Sequence, residues 1–176
     1  MKIIAGILLS LGFMSSTAQS FCTPKEVRTE IIILASAERV WDLLTNTAEY
    51  KNWHPYITEV KGELKLHKKI KVHTINKQKE PGSFSAYILE FAPAKELSWG
   101  GSLGFLFRAK HYFKIQVIND GSVLFTQGEY WRGWFGKSFG KKIYKDTYEN
   151  FTVMNQNMKL VLEPMVEYQP VIIDAR

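Results

Sequence analysis

The sequence of 176 residues predicts an α+β domain in which a curved antiparallel sheet of about seven strands wraps one long C-terminal helix. Three observations carry that expectation. Stretches rich in β-branched and aromatic residues follow one another with only short turns between them, as in an antiparallel meander. The last part of the chain switches to a spacing of three to four, the mark of one long helix. Rings are abundant: eleven Phe, eight Tyr and five Trp make up 14% of the chain. That is more than a core of this size needs, and it points to an aromatic-lined cavity.

The elements follow in order. Val27–Leu34, centred on Ile31-Ile32-Ile33, reads as the first strand. Ser36 offers an N-cap with Glu38 in the first turn, and Ala37, Val40, Trp41 and Leu44 fall at helical spacing through about Asn46. Thr47 can cap a second, shorter helical turn through Tyr50, closed by Trp53-His54-Pro55, because proline cannot continue a helix. Five strands are expected next, at Ile57–Leu64, Ile70–Asn76, Phe84–Phe91, Glu96–Trp99 and Arg108–Val117. Asn119-Asp120-Gly121 signals a hairpin into a last strand, Ser122–Trp131. Residues 132–142 space Gly133, Gly136 and Gly140 among aromatics and read as a loop at the cavity mouth or a plain connection. From Ile143, the residues Tyr144, Tyr148, Phe151, Met154, Met158 and Val161 form one stripe, ended by Pro164. A helix of that length spans roughly 30 Å, enough to cover a sheet.

Ahead of the domain, Lys2, a run of about a dozen apolar residues and Ser15-Ser16-Thr17-Ala18-Gln19-Ser20 describe a secretory signal peptide over residues 1–20. The run is shorter than the roughly 20 apolar residues a membrane span requires. The expected organisation is therefore a signal peptide, a domain over 24–165 and a tail over 166–176, with the mature protein secreted or periplasmic. Phe21 before Cys22 does not suit lipidation, and a single cysteine excludes a disulfide scaffold.

Strand alternation sorts the faces. Phe107, Ala109, His111, Phe113, Ile115 and Val117 share one face of their strand and must turn inward, carrying His111 with them. On the last strand Val123, Phe125, Gln127, Glu129 and Trp131 form the matching set. His111, Gln127 and Glu129 then stand on one concave wall among Phe113, Phe125 and Trp131, an aromatic pocket with a few polar groups. Three uses remain open for the His111 and Glu129 pair: satisfying each other, hydrogen bonding a ligand, or moving protons as acid and base. Burial should raise the Glu129 carboxyl, and a carboxylate nearby should support a charged His111. Trp53, Trp99, Phe135, Met154, Asn155 and Met158 complete the candidate ligand-binding residues; Trp99 either lines the pocket or fills the core, and Asn155 faces either the cavity or solvent.

The formal charge is +6. Lys61, Lys65, Lys68, Lys69, Lys71, Lys77 and Lys79, and Lys137, Lys141, Lys142 and Lys145, read as a solvated face that blocks edge pairing or as contacts for an anionic membrane surface. No recognition motif accompanies the charge, so nucleic acid is not expected. Phosphate-loop, dinucleotide, nucleophile-elbow and zinc-protease patterns are all missing, and the four histidines show no paired ligand spacing, so neither metal nor cofactor is implied.

The segments Ala37–Thr45 and Tyr50–Ile57 resemble the opening helices of the SRPBCC, or START-like, superfamily, in its polyketide cyclase/dehydrase branch. Glu96–Gly101, His111-Tyr112-Phe113, Phe125–Gly133 and Met154-Asn155 with Lys159-Leu160 fit the later parts of the same pattern, from about Val27 to Glu163. The resemblance implies a helix-grip fold with a deep cavity for apolar or amphipathic ligands, and relatives that are lipid carriers, hormone receptors or aromatase/cyclases. Taken with the leader, which is less usual for that branch, and the inward strand faces, it leads to the expectation of an exported binding protein for a hydrophobic small molecule, a lipid or aromatic metabolite, or alternatively a cyclase/dehydratase-like enzyme using His111 and Glu129. Two departures matter: many relatives carry Asn where His54 stands and often His where Gln127 stands.

Overall fold

A computed structural model describes residues 25–104, 106–133 and 141–163. The expected signal peptide, Cys22, Phe135, Lys137 and the tail lie outside them. Strand β1 (Lys25–Ile33) leads into α1 (Ala37–Thr45), a 3-10 turn at Thr47–Glu49 and the single-turn α2 (Tyr50–Trp53). Six strands follow: β2 (Ile57–Lys61), β3 (Lys69–Ile75), β4 (Pro81–Ala92), β5 (Glu96–Leu103), β6 (Phe107–Asn119) and β7 (Ser122–Arg132); α3 (Lys141–Leu162) ends the described chain. All seven strands pair antiparallel in the order β1-β7-β6-β5-β4-β3-β2, so the meander from β2 to β7 is closed by β1 returning beside β7. This is the helix-grip architecture.

Local chemistry accounts for the joints. The Ser36 hydroxyl accepts from the Arg39 backbone N–H and caps α1. Asn119 Oδ1 accepts from Gly121 N–H in a hairpin whose two loop residues are Asp120 and Gly121. Register shifts at Ile57/Glu59, Ile88/Glu90 and Val117/Asn119 increase the twist and bend the sheet around the helix. The C-terminal half of α3 is bolted down. Lys159 Nζ donates to Ile32 O, Glu163 accepts from Leu34 N–H, Asn157 Nδ2 donates to Trp53 O, and Arg39 donates to Leu162 O.

Two expectations about α3 need correction. Tyr144, Tyr148 and Val161 are about half exposed and do not continue the packed stripe. The row that faces the sheet is Thr147, Asn150, Phe151, Met154 and Met158, because the sheet curves away beneath the first turns and leaves a hollow that polar positions can border. Asn155, for which two orientations were open, is buried and donates from Nδ2 to Thr29 Oγ1 at 3.0 Å. Strand β5 also runs past Trp99 to Leu103, and β4 begins at Pro81 rather than Phe84.

Candidate functional site: a cavity between sheet and helix

The size of the inward side chains decides where the hollow lies. Towards one end the sheet carries Ile33, Leu97, Phe113, Ile115, Val123 and Phe125, which meet α1 and the C-terminal half of α3 in a continuous core. Towards the other end the inward positions shrink to Ala86, Gly101 and Ala109, the last two paired across β5 and β6. A cavity of about 540 Å³ opens there. Its floor and walls include Trp99, His111, Gln127, Phe151 and Met154; Phe84 and Leu103, 46% and 64% exposed, stand at its rim. That volume is in the range of small-molecule sites.

The polar groups are few and held in place. His111 and Glu129 are opposite each other in the β6–β7 register. Nevertheless His111 takes Gln127 as its partner: the amide nitrogen, which can only donate, lies 3.0 Å from His111 Nε2. With the amide in this orientation His111 Nε2 is the acceptor, which puts the proton of the neutral ring on Nδ1. Phe151 stacks on the imidazole at 4.8 Å, with Phe113 at 4.5 Å and Trp99 at 5.4 Å on other sides. Burial among these rings, helped by His54 nearby, pushes His111 down to about 3. The expected charged His111 is thus corrected to a neutral one, since desolvation and the neighbouring His54 both disfavour the cation. Glu129 behaves as anticipated: burial pushes it up to about 7, partly opposed by a hydrogen bond from the Trp131 side chain.

His54 also borders the cavity. Its Nδ1 accepts from the backbone N–H groups of Tyr56 at 3.2 Å and Ile57 at 2.9 Å, and its ring stacks on Tyr50. Both bonds need an unprotonated Nδ1, and burial likewise lowers the group to about 3. An asparagine oxygen could accept the same two N–H groups, which gives a physical reason for Asn at this place in many relatives.

Of the residues expected at the site, Trp99, His111, Gln127, Glu129 and Met154 border the cavity. Phe113, Phe125 and Met158 lie behind that wall in the core, where Phe113 supports His111 and stacks on Phe125. Trp131 packs with Val27 and Phe151 in a smaller cluster and reaches the site through Glu129. Trp53 is buried against Tyr50, away from the cavity wall, and Asn155 bonds to Thr29. Sequence reasoning missed His54, Gly101 and Asn150. A side-chain acceptor placed before two free backbone N–H groups was the available signal for His54; the other two depend on how far the sheet bends, which no local pattern records. The arrangement offers a hydrophobic chamber with one carboxyl that titrates near neutrality and two fixed neutral imidazoles.

The family described as "Polyketide cyclase / dehydrase and lipid transport" matches residues 24–163. Among solved structures, the chain is similar to a START superfamily protein from Mycobacterium smegmatis, with TM-score 0.63 and 16% identity over 78% of this chain and 96% of that one. It is also similar to the ZhuI aromatase/cyclase from Streptomyces sp. R1128, with TM-score 0.57 and 10% identity over 79% and 96% of the two chains. The di-domain aromatase/cyclase BexL of the BE-7585A biosynthetic pathway gives TM-score 0.63 and 15% identity over 80% of this chain, which spans about half (48%) of that protein. At these identities the likeness is one of fold, and no curated relative matches in sequence. With the match running through nearly the whole described domain, the chain belongs to the polyketide cyclase/dehydrase and lipid transport family.

Proposed function

We propose that this protein binds a hydrophobic or amphipathic small molecule, a lipid or an aromatic metabolite, in the cavity between the sheet and α3, and that it does so outside the cytoplasm after removal of the N-terminal leader. One observation carries the binding role: the sheet gives up large inward side chains at Ala86, Gly101 and Ala109, leaving about 540 Å³ unfilled beside a fully packed core. Unfilled apolar volume costs stability, and a guest that occupies it recovers the lost contacts. The leader supports export. The exposed lysines of β3 and of the first turn of α3 would favour delivery at an anionic membrane surface. Native mass spectrometry of gently purified protein, followed by titration with the neutral dye N-phenyl-1-naphthylamine, tests the binding role. Co-purified apolar mass or dye uptake is expected; protein that is persistently empty and takes up no dye contradicts it.

A second role, a cyclase or dehydratase, is favoured by a single feature: Glu129 titrates near neutrality inside the chamber, opposite His111. In that case Glu129 carries the proton and neutral His111 orients the substrate through its Nδ1–H. Glu129→Gln should then abolish turnover while keeping ligand affinity, and unchanged turnover rules the role out.

A further inference from the structure

The charge of the cavity contradicts the charge of the chain. The formal total is +6, yet the described residues that border the cavity include no lysine or arginine. Its two histidines are held neutral, His54 by the backbone N–H groups its Nδ1 accepts and His111 by Gln127 and the surrounding rings. The one side chain there that becomes charged is the carboxyl of Glu129. Two further wall residues add acceptors: Gln127 Oε1 and Asn150 Oδ1 are buried and have no hydrogen-bond partner among the described residues. Outside, a polar depression of about 480 Å³ shares Tyr56, Thr74 and Asn150 with the cavity and holds Lys77 and Lys142. Both ammonium groups are already paired, Lys77 with Glu149 at 2.7 Å and Lys142 with Asp146 at 2.5 Å.

Ser85 and Ser102 are exposed on the lining, and the buried Gln127 is polar too, so polar groups stand at both depths of the cavity. Phe84 and Leu103 are exposed at the rim, whereas Gln127 is 1% exposed and His111 sits beneath Phe151. An amphiphile that leaves its polar end at the rim would strand the buried acceptor Gln127 Oε1 without a partner.

We infer that the cavity selects an uncharged amphiphile that enters polar end first and presents a hydrogen-bond donor (a phenol, an alcohol or an amine N–H) to Glu129 and Gln127, and that Glu129 excludes carboxylates, sulfonates and phosphates. The inference rests on the cavity being a binding site. An anion carried to the floor meets no lysine or arginine among the lining residues and faces the Glu129 carboxylate among partly desolvated walls, where like charges disfavour each other. Specificity of this kind comes from the repulsive element as much as from the attractive one. A neutral donor loses none of its bonds, because the floor supplies acceptors.

The test is calorimetric titration of the whole protein at pH 8 with 2-naphthol, 2-naphthoate and unsubstituted naphthalene, which share one ring system. Wild type should bind 2-naphthol at least about tenfold more tightly than 2-naphthoate, and Glu129→Gln should close most of that gap by gaining affinity for 2-naphthoate. Gln127→Leu keeps the carboxylate and removes an acceptor, so 2-naphthol should weaken severalfold towards naphthalene while 2-naphthoate stays excluded. Equal binding of 2-naphthol and 2-naphthoate by wild type overturns the inference while leaving the cavity a binding site. A gap unchanged in folded Glu129→Gln, or 2-naphthol binding unchanged in Gln127→Leu, also overturns it. Failure of all three compounds to bind overturns both the inference and the binding role.

Discussion

Two neighbouring glycines should respond to substitution in opposite ways. The missing side chain of Gly101 points into the cavity. A Cβ built there comes no closer than 3.7 Å to another atom, the Ser85 carbonyl oxygen. The missing side chain of Gly100 points to the other face, where a Cβ would lie 2.2 Å from the Ala109 backbone oxygen and 2.9 Å from Leu89 Cδ1. In Gly101→Leu the new side chain fills empty volume; burying a leucine is worth roughly 1.5–3 kcal/mol and relieving a glycine in a strand roughly 0.5–1 kcal/mol. Some of the cavity wall is open to water, so a net gain of about 1 kcal/mol is the expected outcome. Gly100→Ala cannot be accommodated without breaking the β5–β6 pairing that joins Gly100 to Lys110, at a cost of about 3 kcal/mol or more. Urea unfolding of both variants measures this, with N-phenyl-1-naphthylamine titration alongside. Gly101→Leu should be at least as stable as wild type and bind the dye at least about tenfold more weakly, since the guest loses its volume. A Gly101→Leu protein destabilised as much as Gly100→Ala would show that no open space exists there, and undiminished dye binding would show that the guest sits elsewhere.

Three further outcomes follow. Between pH 4.5 and about 7 the folded chain retains a proton on Glu129 that the unfolded chain has released, so this group's share of the stability is present below 4.5 and is lost as pH rises through 7. Glu129→Gln should therefore match wild type near pH 4 and exceed it by about 3 kcal/mol at pH 8; a difference independent of pH would contradict the burial of that carboxyl. His54 and His111 act in the opposite sense: lowered to about 3, they add stability above 6.5 that disappears as pH falls towards 3, and His111→Phe should flatten the acid limb of the stability–pH curve, which an unchanged limb would refute. Gly128→Ala would drive a Cβ to 2.3 Å from the Tyr112 hydroxyl, and should cost about 1–3 kcal/mol in urea unfolding without altering dye affinity, because Tyr112 lies on the face away from the cavity.

Most of the fold was legible because its determinants are local. The inward set from Phe107 to Ile115 alternates well enough to assign its face without tertiary information, although Val117, expected inward, is 58% exposed beyond the end of the core and Tyr112 is buried on the other face. The Asn119-Asp120-Gly121 hairpin carries its own turn chemistry. The helix row was legible only where the sheet is in contact. Phe151, Met154 and Met158 pack as the spacing implies, whereas Tyr144 and Tyr148 do not border the cavity and are about half exposed. The candidate site was half visible. Parity brought His111, Gln127 and Glu129 to one wall, but it could not say that His111 would bond to Gln127 rather than to Glu129, or that three rings would hold it neutral. Nor could it show that Ala86, Gly101 and Ala109, far apart in the chain, would gather at one end and leave a hollow. Volume left empty is a property of curvature summed over several strands.

The most direct test is to see where a neutral guest lands. Heteronuclear NMR of the folded protein titrated with N-phenyl-1-naphthylamine should move the resonances of Trp99, Gly101, His111, Gln127 and Glu129 together, with one affinity. Tyr112 and Tyr130 on the convex face should stay still. Shifts confined to the convex face, or to exposed Ile32, Leu34 and Leu160, with the cavity wall unmoved, would contradict the cavity as the place where this protein holds its ligand.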